Sequence, residues 1–294
     1  MEWSVEDGRR GLARMRERAS CRNFADKDIP GDLLDDIIDT GLCAASGGNL
    51  QPLSIIVIKD KDEREKLCEI CGGQRFITQA PVNLLFILDW HKMEVFARNE
   101  KAPFTCDNSF MHFLIALEDV MCAAQMIDTG AELCGVTSCY VGTVNTSGAR
   151  LIEMFNLPKR TYPVLLLSLG YAANNVPVTV KLERDIMVFD GKYPDLSGEF
   201  ITEKYRNKYK DRSLALPQSD EHRRSMLETF RLALETTYSA EEAAEITAQA
   251  EALGRINETQ RRFGLHYHAK HMREHGMDVM KMMADNGLTF FEKE

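Results

Sequence analysis

Two unbroken apolar stretches of strand length constrain this fold more than any other feature of the sequence. They are VNLLFILD at 82–89 and VLLLSLGY at 164–171, and neither shows the alternation of a strand with one solvated face. Strands of this kind are buried on both faces, so other elements must cover the sheet on two sides. A third stretch, LSIIVIKD at 53–60, is rich in β-branched residues and predicts another buried strand.

Helical patterns lie between these strands. The predicted helices cover 33–42, 61–71, 109–133 and 147–156. TSCYVGTV at 137–144 predicts a further strand, whereas residues 90–108 lack clear periodicity and are expected to leave the core. Helices mixed with apolar strands predict an α/β or α+β sandwich.

The character of the sequence changes after Tyr171. Residues 172–217 are rich in loop-forming residues, and the charged run YRNKYKDRS within them is interpreted as a solvated segment. Polar amphipathic helices are predicted at 219–237, 239–253 and 255–284. We therefore expect a core domain over 1–190 and a helical C-terminal extension over 195–294.

The charge and the cysteine content argue against several classes of function. A formal net charge of −9 disfavours a nucleic-acid-binding surface, which needs a basic excess. The charged N-terminus lacks the apolar core of a signal peptide, and no apolar run reaches the roughly 20 residues of a membrane span. Eight cysteines without a secretion signal indicate free thiols in a reducing compartment. We expect a cytoplasmic protein that binds neither nucleic acid nor membrane.

Positive charge is concentrated in the stretch RASCRNF at 18–24. Arg18 and Arg22 lie four residues apart in the sequence, with Ser20 between them. Two guanidinium forks and a hydroxyl group are suited to the oxygens of a terminal phosphate. The alternative is a helix end at the surface whose arginines are paired with acidic residues.

Two further stretches combine glycine with polar side chains. AASGGNLQP at 44–52 joins a predicted helix to the first strand, and its amide side chains can hydrogen-bond the edge of a pyrimidine-like ring. An ordinary helix C-cap followed by a polar turn is the alternative. In TSCYVGTV, Gly142 indicates either a β-bulge or a place where a ligand lies against the backbone.

Together these stretches resemble the FMN-dependent nitroreductase family in order and spacing as well as in composition. The family pattern R-x-S-x-R-x-F is matched at 18–24, and P-S-x-x-N-x-Q-P is matched at 45–52 except that alanine replaces the first proline. The family strand G-L-G-T-C-W-I-G-G is similar to GVTSCYVGT at 135–143, and the last core strand is similar to YPVLLLSLGYA at 162–172. The resemblance covers about residues 14–185.

The resemblance implies a binding site for the FMN phosphate and ribityl chain near the N-terminus. Arg18, Ser20 and Arg22 match the family residues with this role. A basic residue beyond the last core strand is also expected to reach the phosphate. Lys181 fits this position best, with Arg184 as the second choice.

The resemblance also implies which residues lie against the flavin ring. Those expected to contact it from the partner subunit are Ser46, Gly47, Asn49 and Gln51. The main-chain groups expected near the reactive N5 atom are those of Val141, Gly142 and Thr143. Gln74 and Arg75 fall where some members touch the pyrimidine edge, and Asp119 falls near another position that faces the flavin.

For the whole molecule, the resemblance implies a three-layer α/β/α sandwich of the α+β class, with a mixed, mainly antiparallel sheet and the helical extension added. The activity would be ping-pong transfer of hydride from NAD(P)H through flavin N5 to nitroaromatics, quinones or similar conjugated acceptors. The flavin carries this chemistry, so neither a catalytic side chain nor a metal is expected. The assembly would be a homodimer with FMN at the interface.

Two other functions stay open at this point. One is that of a specialised relative with the same fold, such as a reductive dehalogenase or a flavin-fragmenting enzyme. The other is a flavin-binding protein without turnover.

Residues 90–108 are interpreted as a lid or a substrate wall. Its possible stacking residues, which core packing explains equally well, are Trp90, Phe96 and Phe104. The helical extension is interpreted as a departure from the family, with no role that the sequence assigns. Its end, from Met277 to Phe291, is expected to pack on the core or on the partner.

Two clusters of metal-ligating residue types are set apart from the flavin motifs. Cys68 and Cys71 form a single C-x-x-C motif that we interpret as packed or surface thiols rather than a redox or metal site. Four histidines are close enough in sequence for metal capture or for polar contacts between helices: His266, His268, His271 and His275.

Overall fold

The computed structural model describes residues 4–210 and 212–291, and the chain divides into two compact units. The first unit runs to Val178 and is completed by the residues from Asp278 onward. The second unit is Thr179–Met277.

Four strands form the sheet of the first unit. They are β1 Leu53–Ile58, β2 Val82–Asp89, β3 Thr137–Val141 and β4 Thr161–Gly170. Their order is β1-β2-β4-β3, and each neighbouring pair is antiparallel. Every residue of β2 and β4 is buried, which confirms the interpretation of the unbroken apolar stretches as fully covered strands.

Helices cover both faces of this sheet. They are α1 Val5–Arg16, α2 Gly31–Leu42, α3 Lys61–Ile70, α4 Phe76–Gln79, α5 Trp90–Asn99, α6 Phe110–Leu133 and α7 Gly148–Met154. On one face Phe86 of β2 shares a buried cluster with Val120 of α6. On the other face Ile87 shares a cluster with Leu67 of α3 and Leu151 of α7. Because successive strand residues point to opposite faces, the result is a three-layer sandwich, and the α+β prediction is confirmed.

The third predicted strand is too long, and the prediction is wrong at its end. β3 stops at Val141 instead of Val144, and Gly142–Thr146 forms a 3₁₀ turn. The reason lies in the neighbouring strand. Continued pairing would carry β3 past Val164, where β4 bulges against β2, to Pro163, which has no N–H to offer.

Residues 90–108, for which the sequence shows no clear periodicity, contain a helix, because α5 begins directly after β2. The carboxylate of Asp89, the last strand residue, accepts a hydrogen bond from the Lys92 N–H at 3.1 Å and so caps the helix. Only Trp90 and Glu94 of α5 are buried. With so few buried positions, the helix leaves no apolar periodicity in the sequence.

The second unit and the C-terminal region contain further short elements. They are α8 Gly198–Lys208, β5 Ser213–Ala215, α9 Asp220–Leu234, α10 Ala240–Leu253, β6 Arg255–Asn257, α11 Glu258–Arg261 and α12 Ala269–Asp285. The helix predicted at 255–284 is therefore wrong as one element. Gly254, at φ +65°, ends α10, and the next three residues pair with β5.

The end of the chain packs on the core of the first unit, as one of the two sequence alternatives predicted. Met283 and Leu288 are buried in the cluster that includes α6. Phe290 stacks on Phe113 of α6 with ring centroids 4.6 Å apart. The Asn286 amide donates to the carbonyl oxygen of Thr161 in β4 at 2.6 Å.

Among the described residues, α6 is the one helix whose length and composition would suffice to cross a membrane, contrary to the expectation that no segment reaches that length. The mean hydropathy of its most apolar window is 1.5. The helix also packs between the sheet and α2, where Phe113, Val120 and Ile127 are buried. Core packing alone therefore accounts for its apolar composition.

The contact between α2 and α6 predicts a stability difference between two glycine variants of α2. A Cβ atom at Gly41 would lie 2.6 Å from Cδ1 of Ile127 and 3.0 Å from the Ala123 carbonyl oxygen, whereas one at Gly31 meets nothing within 4 Å. We expect Gly41→Ala to lower the free energy of unfolding by about 1–3 kcal/mol through overpacking. Gly31→Ala, the control on the same helix, should stay within about 0.5 kcal/mol. Urea unfolding measures both, and equal stabilities would contradict this packing.

Candidate active site

The segment that follows α1 is held along the edge of the sheet. Ser20 pairs with Ser138 of β3 as an isolated parallel bridge, and the Cys21 N–H donates to the Ser138 carbonyl oxygen at 2.8 Å. Further along, Phe24 pairs with Ala172. We call residues 18–24 the N-terminal arm. Main-chain hydrogen bonds therefore place Ser20 beside β3.

The two arginines of the N-terminal arm lie in different surroundings. Nε of Arg18 donates to Oδ2 of the buried Asp128 at 2.8 Å, and Nη2 of Arg18 lies 3.3 Å from Oγ of Ser138. Arg22 is exposed and makes no ion pair within the described residues. For Arg18 the structure thus shows the pairing with an acidic residue that the sequence left as an alternative. Arg22 remains free to meet an anion.

The stretch from Ser46 to Gln51 forms a tight polar turn. Asn49 and Gln51 have positive φ angles of 55° and 51°, and Gly48 has 58°. The Ser46 hydroxyl accepts from the Gln51 N–H at 3.3 Å, and the Gln51 amide donates to the Leu42 carbonyl oxygen at 3.1 Å. The Gln51 side chain is thus used inside the turn, while the Asn49 side chain is exposed.

This turn is anchored on α6 by Asp119. Oδ1 of Asp119 accepts from the Gly47 N–H at 2.8 Å. The other carboxylate oxygen, Oδ2, is buried and has no hydrogen-bond partner within the described residues. A buried carboxylate oxygen left in this way favours a ligand or water that donates a hydrogen bond to it.

The end of β3 presents open backbone. Val141 is buried, but Gly142 and Thr143 are exposed, and a Cβ atom at Gly142 would meet nothing within 4 Å. The Thr143 hydroxyl donates to the Cys71 carbonyl oxygen at 3.0 Å and accepts from the Gln74 amide at 3.1 Å. These hydrogen bonds connect the end of β3 to the segment that contains Cys71 and Gln74, two regions whose contact the sequence did not indicate.

These features together fit the cofactor that the resemblance implies. The N-terminal arm and Gly142 are attached to the same strand, four residues or about 13 Å apart along β3. One end offers arginine and serine donors for an anion, and the other offers bare backbone against which a flat ring can lie. The unpartnered oxygen of Asp119 is consistent with a nearby ligand donor.

The remaining candidates do not add to this arrangement. Lys181 and Arg184 belong to the second unit and are exposed there, so their contact with a phosphate stays a prediction. Arg75 is exposed as well. Trp90 is 2% exposed and packs edge-on against Phe104, so core packing explains it, whereas Phe96 is 60% exposed.

In the part of the chain that the structure describes, neither the cysteine nor the histidine cluster brings together three side chains that could hold a metal ion. Cys71 is buried and Cys68 half-buried, and neither forms a disulfide bond. The rings of His268 and His271 are 4.9 Å apart, with their planes tilted by 40°.

Sequence reasoning missed the groups that hold Arg18 in place. Asp128 is fully buried on α6, and the amide of Gln125, one turn earlier, donates to it at 3.0 Å. The sequence does contain a signal for Asp128, because this charged residue falls on the apolar side of a predicted helix, among Ala124, Ile127 and Ala131. Such a residue needs a partner, although the sequence does not say which.

Comparison with known proteins agrees with this geometry. The sequence profile described as "Nitroreductase family" matches residues 15–171, which is more than half of the chain. This chain therefore belongs to the nitroreductase family.

Two curated relatives show how far the similarity extends. The FMN reductase (NAD(P)H) of Bacillus subtilis (strain 168) is 30% identical over 162 residues, which cover 54% of this chain and 65% of that protein. The NADPH-flavin oxidoreductase of Vibrio harveyi is 28% identical over 178 residues, which cover 60% of this chain and 72% of that protein. The aligned part of this chain thus spans just under two thirds of the first relative.

Solved structures share the fold over a longer part of the chain. B. megaterium NfrA2 superposes with a TM-score of 0.72 at 20% identity, covering 96% of this chain and 99% of that one. The NADPH:FMN oxidoreductase from Vibrio harveyi, complexed with NAD+, has a TM-score of 0.62 at 24% identity and covers 68% of this chain and 86% of that one. The first superposition reaches nearly the whole chain, including most of the helical extension. In this comparison the extension is part of the shared fold, so its interpretation as a departure is wrong here.

The surroundings of Cys71 predict slow reaction with alkylating reagents. Burial raises the pKa of its thiol from 9.0 to about 11, and the neighbouring Thr143 side chain offsets this only in part. At pH 8 the thiolate fraction is then about a hundredfold lower than for an ordinary thiol. We expect iodoacetamide to label the exposed Cys43 well before Cys71 in the folded protein, with Cys71 labelling accelerating as the pH approaches 11. Peptide mass spectrometry measures both rates, and equal rates at pH 8 would rule out this environment.

Proposed function

We propose that this protein is an FMN-dependent oxidoreductase that takes electrons from NAD(P)H and passes them to a small conjugated acceptor. The observation that carries the proposal is the attachment of an arm with two arginines and an open glycine backbone to the same strand, β3. Membership of the nitroreductase family, whose named relatives include FMN and flavin reductases, supports it.

The residues of the site would divide the binding of FMN between them. Arg22 and Ser20 would hold the phosphate together with Arg18, whose Nη1 group has no hydrogen bond within the described residues. Bound FMN would supply the redox chemistry, with hydride accepted and released at N5. The backbone from Val141 to Thr143 would offer N–H groups toward this atom, and a preformed donor there stabilises developing negative charge. No side chain is assigned as a catalytic acid or base.

The turn from Ser46 to Gln51 would face a flavin bound mainly by a second copy of the chain. Exposed apolar or thiol side chains recur on one face of α6 at Met111, Ile115, Cys122 and Met126. A stripe of this kind favours burial in a contact between subunits. Gly47 lies against Ile115, because a Cβ atom there would come 2.6 Å from Cγ2 of Ile115. The turn therefore borders the stripe, which supports a homodimer whose sites draw on both subunits.

The acceptors that we propose are nitroaromatics, quinones or related conjugated compounds. A cytoplasmic location, where NAD(P)H is available, belongs to the same proposal. The division into an FMN-binding core over 1–190 and an extension over 195–294 stays a prediction.

Addition of NADH or NADPH to the FMN-loaded protein tests the proposal. We expect the flavin absorbance at about 450 nm to fall with at least one of the two and to return when a nitrofuran or a quinone is added. Bleaching that these acceptors do not reverse would favour a specialised relative, such as a dehalogenase or a flavin-fragmenting enzyme. Stable colour with both nicotinamides would contradict turnover and favour a flavin-binding protein.

The exposed Arg22 predicts the effect of a charge deletion on FMN binding. Arg22→Ala removes a charged donor to the phosphate, so we expect the dissociation constant for FMN to rise about tenfold or more. Arg16→Ala, which removes an equally exposed arginine from the end of α1, is the matched control and should stay within about twofold. Flavin fluorescence titration measures both. An Arg22→Ala variant that binds FMN as tightly as the control would exclude Arg22 from the site.

A further inference from the structure

Asp128 is a fully buried carboxylate with an unusually complete set of donors. Its side chain is 0% exposed. It accepts from Nε of Arg18 at 2.8 Å, from Nη2 of Arg18 at 3.4 Å and from the Gln125 amide at 3.0 Å, and the Ser138 hydroxyl also donates to it. A carboxylate buried this deeply is tolerated because its oxygens accept hydrogen bonds from Arg18, Gln125 and Ser138.

These contacts fix the guanidinium of Arg18 in one orientation. Asp128 occupies the Nε–Nη2 edge, and Ser138 lies 3.3 Å from Nη2. The Arg18 guanidinium carbon also lies 5.8 Å from the centre of the Tyr140 ring. The side chain is still 23% exposed, and its Nη1 group has no hydrogen-bond partner within the described residues. One edge of the fork is therefore used inside the protein while the other remains available.

We propose that Asp128 is a positioning residue for the phosphate of FMN, because it holds Arg18 with its free edge toward the anion. This inference rests on the proposed function and adds a residue to it. Preorganisation is the physical basis, since an arginine already fixed in place loses less side-chain entropy when the phosphate binds. Asp128 itself touches no ligand.

Simple electrostatics predicts the opposite sign, which makes the inference testable. A carboxylate near a phosphate repels it, so its removal would tighten FMN binding if charge alone mattered. Positioning predicts weaker binding instead. The effect should also be confined to ligands that carry the phosphate.

The structure supplies a control for comparison one turn further along α6, at Glu132. Glu132 is 3% exposed on α6 and lies 3.4 Å from Nη2 of Arg14. The pair of Arg14 and Glu132 thus joins the same two segments, four residues further along α6 and four residues earlier in the N-terminal segment, through a single and longer contact. A loss caused only by a loosened contact between α1 and α6 should appear in both variants.

The experiment titrates Asp128→Asn and Glu132→Gln with FMN and with riboflavin, which lacks the phosphate, and follows flavin fluorescence. We expect Asp128→Asn to weaken FMN binding about tenfold or more and riboflavin binding less than about twofold. Glu132→Gln should weaken binding of both flavins to a similar, small extent. Thermal unfolding of each variant shows whether the fold is kept.

Arg18→Lys keeps the inference testable if Asp128→Asn does not fold. Lysine retains the positive charge for Asp128, but one ammonium group cannot present a second fixed edge to the phosphate. We expect the preference for FMN over riboflavin to fall about tenfold in Arg18→Lys. An unchanged preference would overturn the inference.

The outcomes separate this inference from the proposed function. A wild-type protein that binds FMN normally, with Asp128→Asn losing no more affinity than Glu132→Gln, would overturn the positioning role alone. Tighter FMN binding by Asp128→Asn would overturn it in favour of plain repulsion. A wild-type protein that binds neither flavin would overturn the proposed function, and the positioning role with it.

Discussion

The pairing of β2 with β4 at the centre of the sheet is the constraint on which the rest of the structure depends. Every residue of both strands is buried, so neither face of the sheet can be left to solvent. α6 covers one face, and α3, α4 and α7 cover the other. β1 and β3 are left at the edges, where additional chain can join. The N-terminal arm joins at β3.

This arrangement explains why the candidate site is built around β3. The N-terminal arm hydrogen-bonds to β3, the backbone from Gly142 onward continues it, and Asp128 on α6 reaches it through Ser138. These parts of the candidate site are therefore positioned by the same buried sheet, whereas the turn from Ser46 to Gln51 is anchored on α6. A formal net charge of −9 does not exclude an anion site here, because two arginines lie on one short segment beside β3.

Much of the fold could be predicted from the sequence because its strongest signals are local. β2 was predicted with its correct bounds, since an unbroken apolar run ending in Asp89 needs no partner to be read as a buried strand. The end of β3 could not be predicted, because it depends on a bulge in β4 that forms only when strands pair. α5 was missed because it buries two residues, Trp90 and Glu94, and leaves no periodic pattern.

For the candidate site, too, the sequence indicated the local features but not the long-range contacts. The sequence indicated the polar turn after α2 and the glycine after β3, because glycine and amide side chains mark such places directly. It did not indicate that Arg18 pairs with a carboxylate 110 positions away. Nor did it indicate that Gln74 meets Thr143, which lies 69 positions further on. Contacts of this kind follow from the packed layers and not from local spacing.

Identification of the chromophore that the protein holds after loading and gel filtration tests the central claim most directly. The protein would be incubated with a mixture of FMN, FAD and riboflavin, freed of unbound flavin and denatured, and the released flavin identified by chromatography and counted per chain. We expect FMN at about one molecule per chain, because the proposed site pairs an arm that carries two arginines with open backbone for a flat ring. Release of riboflavin or FAD in place of FMN, or of no flavin at all, would contradict it.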